Sequence, residues 1–159
     1  MKRTSYLVAL AAASIAAVLA APAASAAAPE FERFSPQTYV FEGVCAFPVE
    51  YRETSNKGVV RYFADGSFLA TGSYKVRVSN LEDPSRYVDV NATGQISWRD
   101  GLGERAIGRT IFILFDGEDW TDGLYLRTGS WTISRFASGS IERVDGHGTA
   151  STNLCDLIA

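Results

Sequence analysis

The sequence predicts an all-β protein: an antiparallel up-and-down β-barrel of about eight to ten strands closed by one disulfide, with a β-sandwich as the alternative. Three observations carry this prediction. Apolar and polar residues alternate with a period close to two from Gln37 onward, and no stretch shows helical spacing. Turn signals recur at short intervals, as they do in a meander. The chain has two cysteines, Cys45 and Cys155, near the two ends of the β region.

The first residues read as an export signal. Lys2 and Arg3 precede an apolar run over residues 6–21, Pro22 breaks it, and Ala24, Ser25 and Ala26 form a small-residue cleavage site. Cleavage is expected after Ala26, leaving a flexible segment over 27–36 and a single β domain over 37–159. The apolar run falls short of the roughly 20 residues of a membrane anchor. The protein is therefore expected to be secreted, with no stable membrane insertion after cleavage. Disulfides persist in that setting, and Cys45–Cys155 is the one pair available.

Several runs read as half-buried strands. "YKVRVSN" sets Tyr74, Val76 and Val78 against Lys75, Arg77 and Ser79. "GQISWRD" sets Ile96 and Trp98 against Gln95, Ser97 and Arg99, and "GSWTISRFA" sets Trp131 and Ile133 against Thr132 and Ser134. "AIGRTIFILFD" (106–116) is apolar on both faces and should be covered on both. The segment carrying Phe31, Phe34, Tyr39 and Phe41 is the expected cover. Arg109 shares the parity of Ile107 and Ile111. Either it points into the apolar side, where it needs an anionic partner, or Gly108 marks a bulge that turns it outward.

The expected turns are "ADGS" (64–67), whose Asp-Gly is a strong two-residue hairpin signal, then "LEDPSR" (81–86), "NATG" (91–94), "RDGLGE" (99–104), "FDGEDWTDG" (115–123), "RTGS" (127–130), "ASGS" (137–140) and "DGHG" (145–148). In an up-and-down barrel the first and last strands are neighbours. A Cys45–Cys155 bond would then pin two strands that are otherwise free edges. Pro48 suits an edge or a bulge.

An apolar leader, "C-x-F-P-V" at Cys45–Val49, "N-x-T-G" at Asn91–Gly94, "G-R" at Gly108–Arg109 and a cysteine close to the C-terminus together resemble a group of small secreted actinobacterial proteins. The resemblance implies export and a Cys45–Cys155 pairing. It implies no activity, because the group has none assigned. The tail "NLCDLIA" departs from the group's pattern, in which an acidic residue precedes the cysteine.

Charge narrows the partners. Without Lys2 and Arg3, 13 basic residues face 18 acidic ones, a net charge of −5 with no basic block. Nucleic acid is not expected as a partner, since it is bound mainly through positive charge. No catalytic residue is assigned. The single histidine, His147, lies between glycines and reads as an exposed turn residue, and there is no G-x-S-x-G turn. No metal and no cofactor are expected: one histidine and two paired cysteines are too few soft ligands. The acids Asp116, Glu118, Asp119 and Asp122 offer several oxygens on a turning chain, as calcium requires, but their spacing does not match an EF-hand loop, and a solvated hairpin tip is the reading set against calcium. "NAT" at 91–93 fits a glycosylation acceptor but reads as turn chemistry.

The aromatics lead furthest. Trp98, Trp131 and Tyr74 on apolar faces could line a small cavity of the kind barrels of this size hold, with Arg109 meeting an acidic group on its occupant. The expected function is non-enzymatic binding of a small, largely apolar ligand. The alternatives are an enzyme acting in the same cavity, and a glycan- or protein-binding surface around Trp120. The sequence sets no oligomeric state.

Overall fold

The computed structural model describes residues 28–115, 122–139 and 141–159. The export signal with its cleavage point, and Asp116, Glu118, Asp119 and Trp120 of the acidic tip, lie outside the described residues. The described chain is all-β apart from one short helix. The strands are β1 (Glu30–Arg33), β2 (Thr38–Phe41), β3 (Val49–Asn56), β4 (Val59–Tyr62), β5 (Phe68–Thr71), β6 (Tyr74–Asn80), β7 (Tyr87–Asn91), β8 (Gly94–Arg99), β9 (Gly103–Leu114), β10 (Gly123–Arg135) and β11 (Ile141–Asn153). Helix α1 (Leu154–Leu157) follows. The strands form two antiparallel sheets, one of seven strands in the order β1-β4-β5-β8-β9-β10-β11 and one of four in the order β2-β3-β6-β7.

Two residues separate β3 from β4, β5 from β6, and β7 from β8. At each link the chain leaves one sheet and enters the other. Each pair is therefore one long strand bent at a corner, the usual way a strand switches sheets. In these terms the chain is the expected up-and-down meander, and the bends are why it shows eleven strands where eight to ten were expected. The segment 27–36, expected to be flexible, contributes β1, which pairs with β4.

The ladder does not close. β1 and β11 are the two outer strands of the larger sheet, and among the described residues neither pairs with the other. The closed barrel expected from the sequence is therefore not formed. The disulfide is formed, with the Cα atoms 5.6 Å apart across a separation of 110 residues. It stitches no hydrogen-bonded seam. Cys45 lies just after β2, at an edge of the smaller sheet, and Cys155 lies in α1 just after β11, at an edge of the larger.

Between the sheets, Val49, Tyr51, Val76, Val78 and Val90 of the smaller sheet pack with Leu124, Ile111, Ile113 and Leu126 of the larger. Helix α1 closes this core with Leu154, Cys155 and Ile158. It packs against β7 of the smaller sheet and β10 of the larger, and the Asn80 side chain donates to the Ile158 carbonyl at 3.2 Å. The sequence showed no helical spacing here because one turn is too short to carry any. Asn153 caps it: its side chain accepts from the Cys155 amide at 3.0 Å. Replacing Asn153 with Ala is expected to cost about 1 kcal/mol, read as a lower urea midpoint.

β9 is apolar on both faces because each face meets a core. Ile111 and Ile113 pack between the sheets, while Ala106, Phe112 and Leu114 form a second cluster with Ile133. The cover between the sheets is the smaller sheet. Of the segment expected as cover, Phe41 packs against the core that Ile111 and Ile113 join, while Phe31, Phe34 and Tyr39 are exposed, and β1 lies at the far edge of the larger sheet.

Four glycines stand in register across the larger sheet: Gly94 opposite Gly108, Gly108 opposite Gly129, and Gly129 opposite Gly148. A Cβ on Gly129 would collide with the His147 carbonyl oxygen, and one on Gly148 with the Thr128 carbonyl oxygen. At Gly94, Gly129 and Gly148 the neighbouring backbone comes too close for any side chain, while a Cβ on Gly108 would meet only a tight 3.2 Å contact with Gly94. "RTGS" and "DGHG" are thus not turns, as expected from sequence, but mid-strand segments of β10 and β11. A register shift between Thr128 and Gly129 accompanies the row. "NATG" is the β7–β8 corner and not a hairpin turn. There the Asn91 side chain accepts from the Thr93 amide at 3.0 Å and its hydroxyl at 2.6 Å.

Candidate functional site

The three corners meet at a pocket of about 290 Å³. Its wall includes one residue from each corner link: Gly58, Gly72 and Ala92. The smaller sheet contributes Tyr51, Asn56 and Tyr74, and the larger contributes Ile96, Arg109, Thr110 and Ile111. Phe34, from the β1–β2 connection, leans over Gly58, where a Cβ would lie 2.9 Å from its ring. The glycine is what lets that ring reach the pocket.

A chain of hydrogen bonds organises the tyrosines. The Tyr51 and Tyr74 hydroxyls are 3.0 Å apart. Tyr74 donates to Glu53 Oε1 at 2.8 Å, while Glu53 Oε2 accepts from the Asn56 side chain at 2.9 Å and the Gln37 amide at 3.0 Å. Burial pushes the Tyr51 hydroxyl up to about 12, against the lowering effect of its bond to Tyr74. Tyr74 is raised as well, first by burial and then by the neighbouring Tyr51. Burial disfavours the phenolate, so both stay protonated well past the ordinary tyrosine range. In an alkaline titration these two should give phenolate absorbance last. Because unfolded tyrosines ionise near 10 while Tyr51 resists to about 12, its contribution to stability is present below pH 10 and lost across that interval. Unfolding curves at pH 9 and pH 12 would show the loss.

Arg109 is exposed and makes no ion pair with any described residue. Gly108 before it has φ +95°, but no bulge forms there: β9 keeps an unbroken register with β10 through Ile107, Gly108 and Arg109, so Arg109 stays on the side of Ile107 and Ile111 and lines the pocket beside Ile111. It lies at the pocket's rim.

Trp98 and Trp131 are not in the pocket. Both sit on one face of the larger sheet: Trp98 opposite Phe68 and Glu104, Trp131 opposite Ala106 and Gly146. Trp98 is 36% exposed. The Trp131 indole lies beside Gly148, in the space the glycine row leaves open, and meets Phe112 edge-on at 6.3 Å. The Arg127 guanidinium stands 5.4 Å from the Trp131 and Tyr125 rings and 5.7 Å from Phe112. Of the residues expected to share a site, only Tyr74 and Arg109 do. Tyr51 and Phe34 join them, and nothing local in the sequence marks their convergence, which depends on the corners.

The remaining candidates stay apart. His147 is exposed on β11, within a strand and not in a turn. Asp145 pairs with Arg143 at 2.8 Å. Among the described residues no group of three or more His, Cys, Asp or Glu is placed to hold a metal ion. No helix among them is long and apolar enough to cross a membrane. Compared with protein-family models, curated proteins and solved structures, the chain matches none.

Proposed function

We propose that this chain is a secreted protein that binds a small, largely apolar ligand, without transforming it, in the pocket between its sheets. The observation that carries this is a partly apolar pocket, lined by Phe34, Ile96 and Ile111, whose rim holds an arginine with no carboxylate partner among the described residues. Its volume of about 290 Å³ is at the small end for ligand sites. The fold behind this reading is two sheets packed face to face, with the pocket at their corner and not inside a sealed barrel. Export agrees with the disulfide. The tyrosines lining the pocket are held protonated and offer an occupant hydrogen-bonding oxygens.

Native mass spectrometry of the disulfide-intact protein, taken from the culture that makes it, tests this. A bound mass that leaves on denaturation supports the reading, and a clean unliganded mass from every preparation counts against it. Arg109→Ala should weaken an acidic ligand about tenfold to a hundredfold, the worth of one charged hydrogen bond, with thermal stability unchanged.

A further inference from the structure

The hydrogen bonds among the two tyrosines that line the pocket and Glu53 all run one way. A tyrosine hydroxyl carries a single proton. Tyr74 gives its proton to Glu53 at 2.8 Å, so the 3.0 Å contact between the two hydroxyls is donated by Tyr51. Both protons are then committed. What remains on the two oxygens is acceptor capacity alone. Glu53 enforces this direction, because its carboxylate also takes the Gln37 amide and the Asn56 side chain at Oε2. At the exposed rim the situation is reversed: Arg109 can only donate.

We infer that the pocket selects a hydroxy acid with an apolar body. Its hydroxyl donates to the buried tyrosine oxygens, and its carboxylate meets Arg109. This rests on the binding reading above and adds the polarity of the ligand. An ether or carbonyl in place of the hydroxyl would set lone pairs against lone pairs, leaving buried acceptors without a donor. The tyrosines' resistance to ionisation keeps the arrangement in force through the neutral and mildly alkaline range.

The test is calorimetric titration of the disulfide-intact protein with 4-hydroxyphenylacetate, 4-methoxyphenylacetate and phenylacetate, with naphthalene as an apolar probe that carries no donor, no acceptor and no charge. The hydroxy acid is expected to bind about tenfold tighter than its methyl ether, the cost of one buried unpaired group. Tyr74→Phe keeps the ring but removes the acceptor for Tyr51, frees that proton, and should reverse the preference toward the ether. Arg109→Gln should weaken all three acids alike and leave the ratio unchanged. If the ether or the plain acid binds the native protein as well as the hydroxy acid, the polarity is overturned while binding stands. If the naphthalene probe alone binds, the hydroxy-acid class is overturned while the pocket stands. If nothing binds, both readings fall. Should Tyr74→Phe not fold, the ratio on the native protein decides.

Discussion

Replacing both Cys45 and Cys155 with serine is expected to destabilise the protein by about 4–5 kcal/mol, the chain-entropy value for closing a loop of this length. The bridge spans 110 residues, so it removes a large share of the freedom of the unfolded chain. It also acts in the folded state. Cys155 belongs to the helix whose Leu154 and Ile158 seal the core between the sheets, and Val44, beside Cys45, lies in the same core. Without the bridge, the last turn is held by the Asn153 cap, the Asn80 bond and packing. Urea unfolding with and without reductant reads the difference. An unchanged midpoint would mean that packing alone holds the ends together and that the bridge adds nothing to stability.

Gly129→Ala and Gly148→Ala are each expected to cost about 3 kcal/mol or more, the upper range for overpacking. In both, the new methyl meets backbone of the neighbouring strand, which cannot rotate away as a side chain can. Gly139→Ala is the contrast. Its Cβ would find nothing within 4 Å, and the cost is the left-handed backbone alone, φ +91°, about 1–2 kcal/mol. If the three variants melt alike, close approach along the glycine row is not what excludes side chains there.

How much of this was legible in the sequence follows from how local each signal is. The alternation of Tyr74, Val76 and Val78 is a property of one strand, and Val76 and Val78 are fully buried as it predicts. "ADGS" is a local turn, and the structure forms a hairpin there, though residues 63–67 and not two residues link the paired Tyr62 and Phe68, with Asp65 accepting from the Ser67 amide at 2.9 Å. "RTGS" and "DGHG" carry the same residues for another reason. Their glycines answer to a neighbouring strand, and a glycine needed for close approach looks in sequence like one needed for a turn. The bends at Gly58, Gly72 and Ala92 were hidden likewise: a long strand and a strand that changes sheets share one alternation. Those bends decide which aromatics gather. Tyr74 begins β6 at a corner and reaches the pocket, while Trp98 and Trp131 sit on a face of the larger sheet. Arg109 was narrowed to two orientations, and the unbroken register through Gly108 keeps it on the side of Ile107 and Ile111, where the open pocket leaves it exposed.

The bridge has a consequence beyond equilibrium stability. From Cys45 to Cys155 the backbone and the two sulfurs make one covalent ring, and the turns at 63–67, 81–86 and 100–102 all lie within it. A protease that cuts at one of these turns opens the ring but detaches nothing. Both new ends stay tethered, and the antiparallel neighbours on either side of the cut hold their register. Loss of a strand takes a second cut. A nicked molecule keeps its full mass until a reductant separates the pieces.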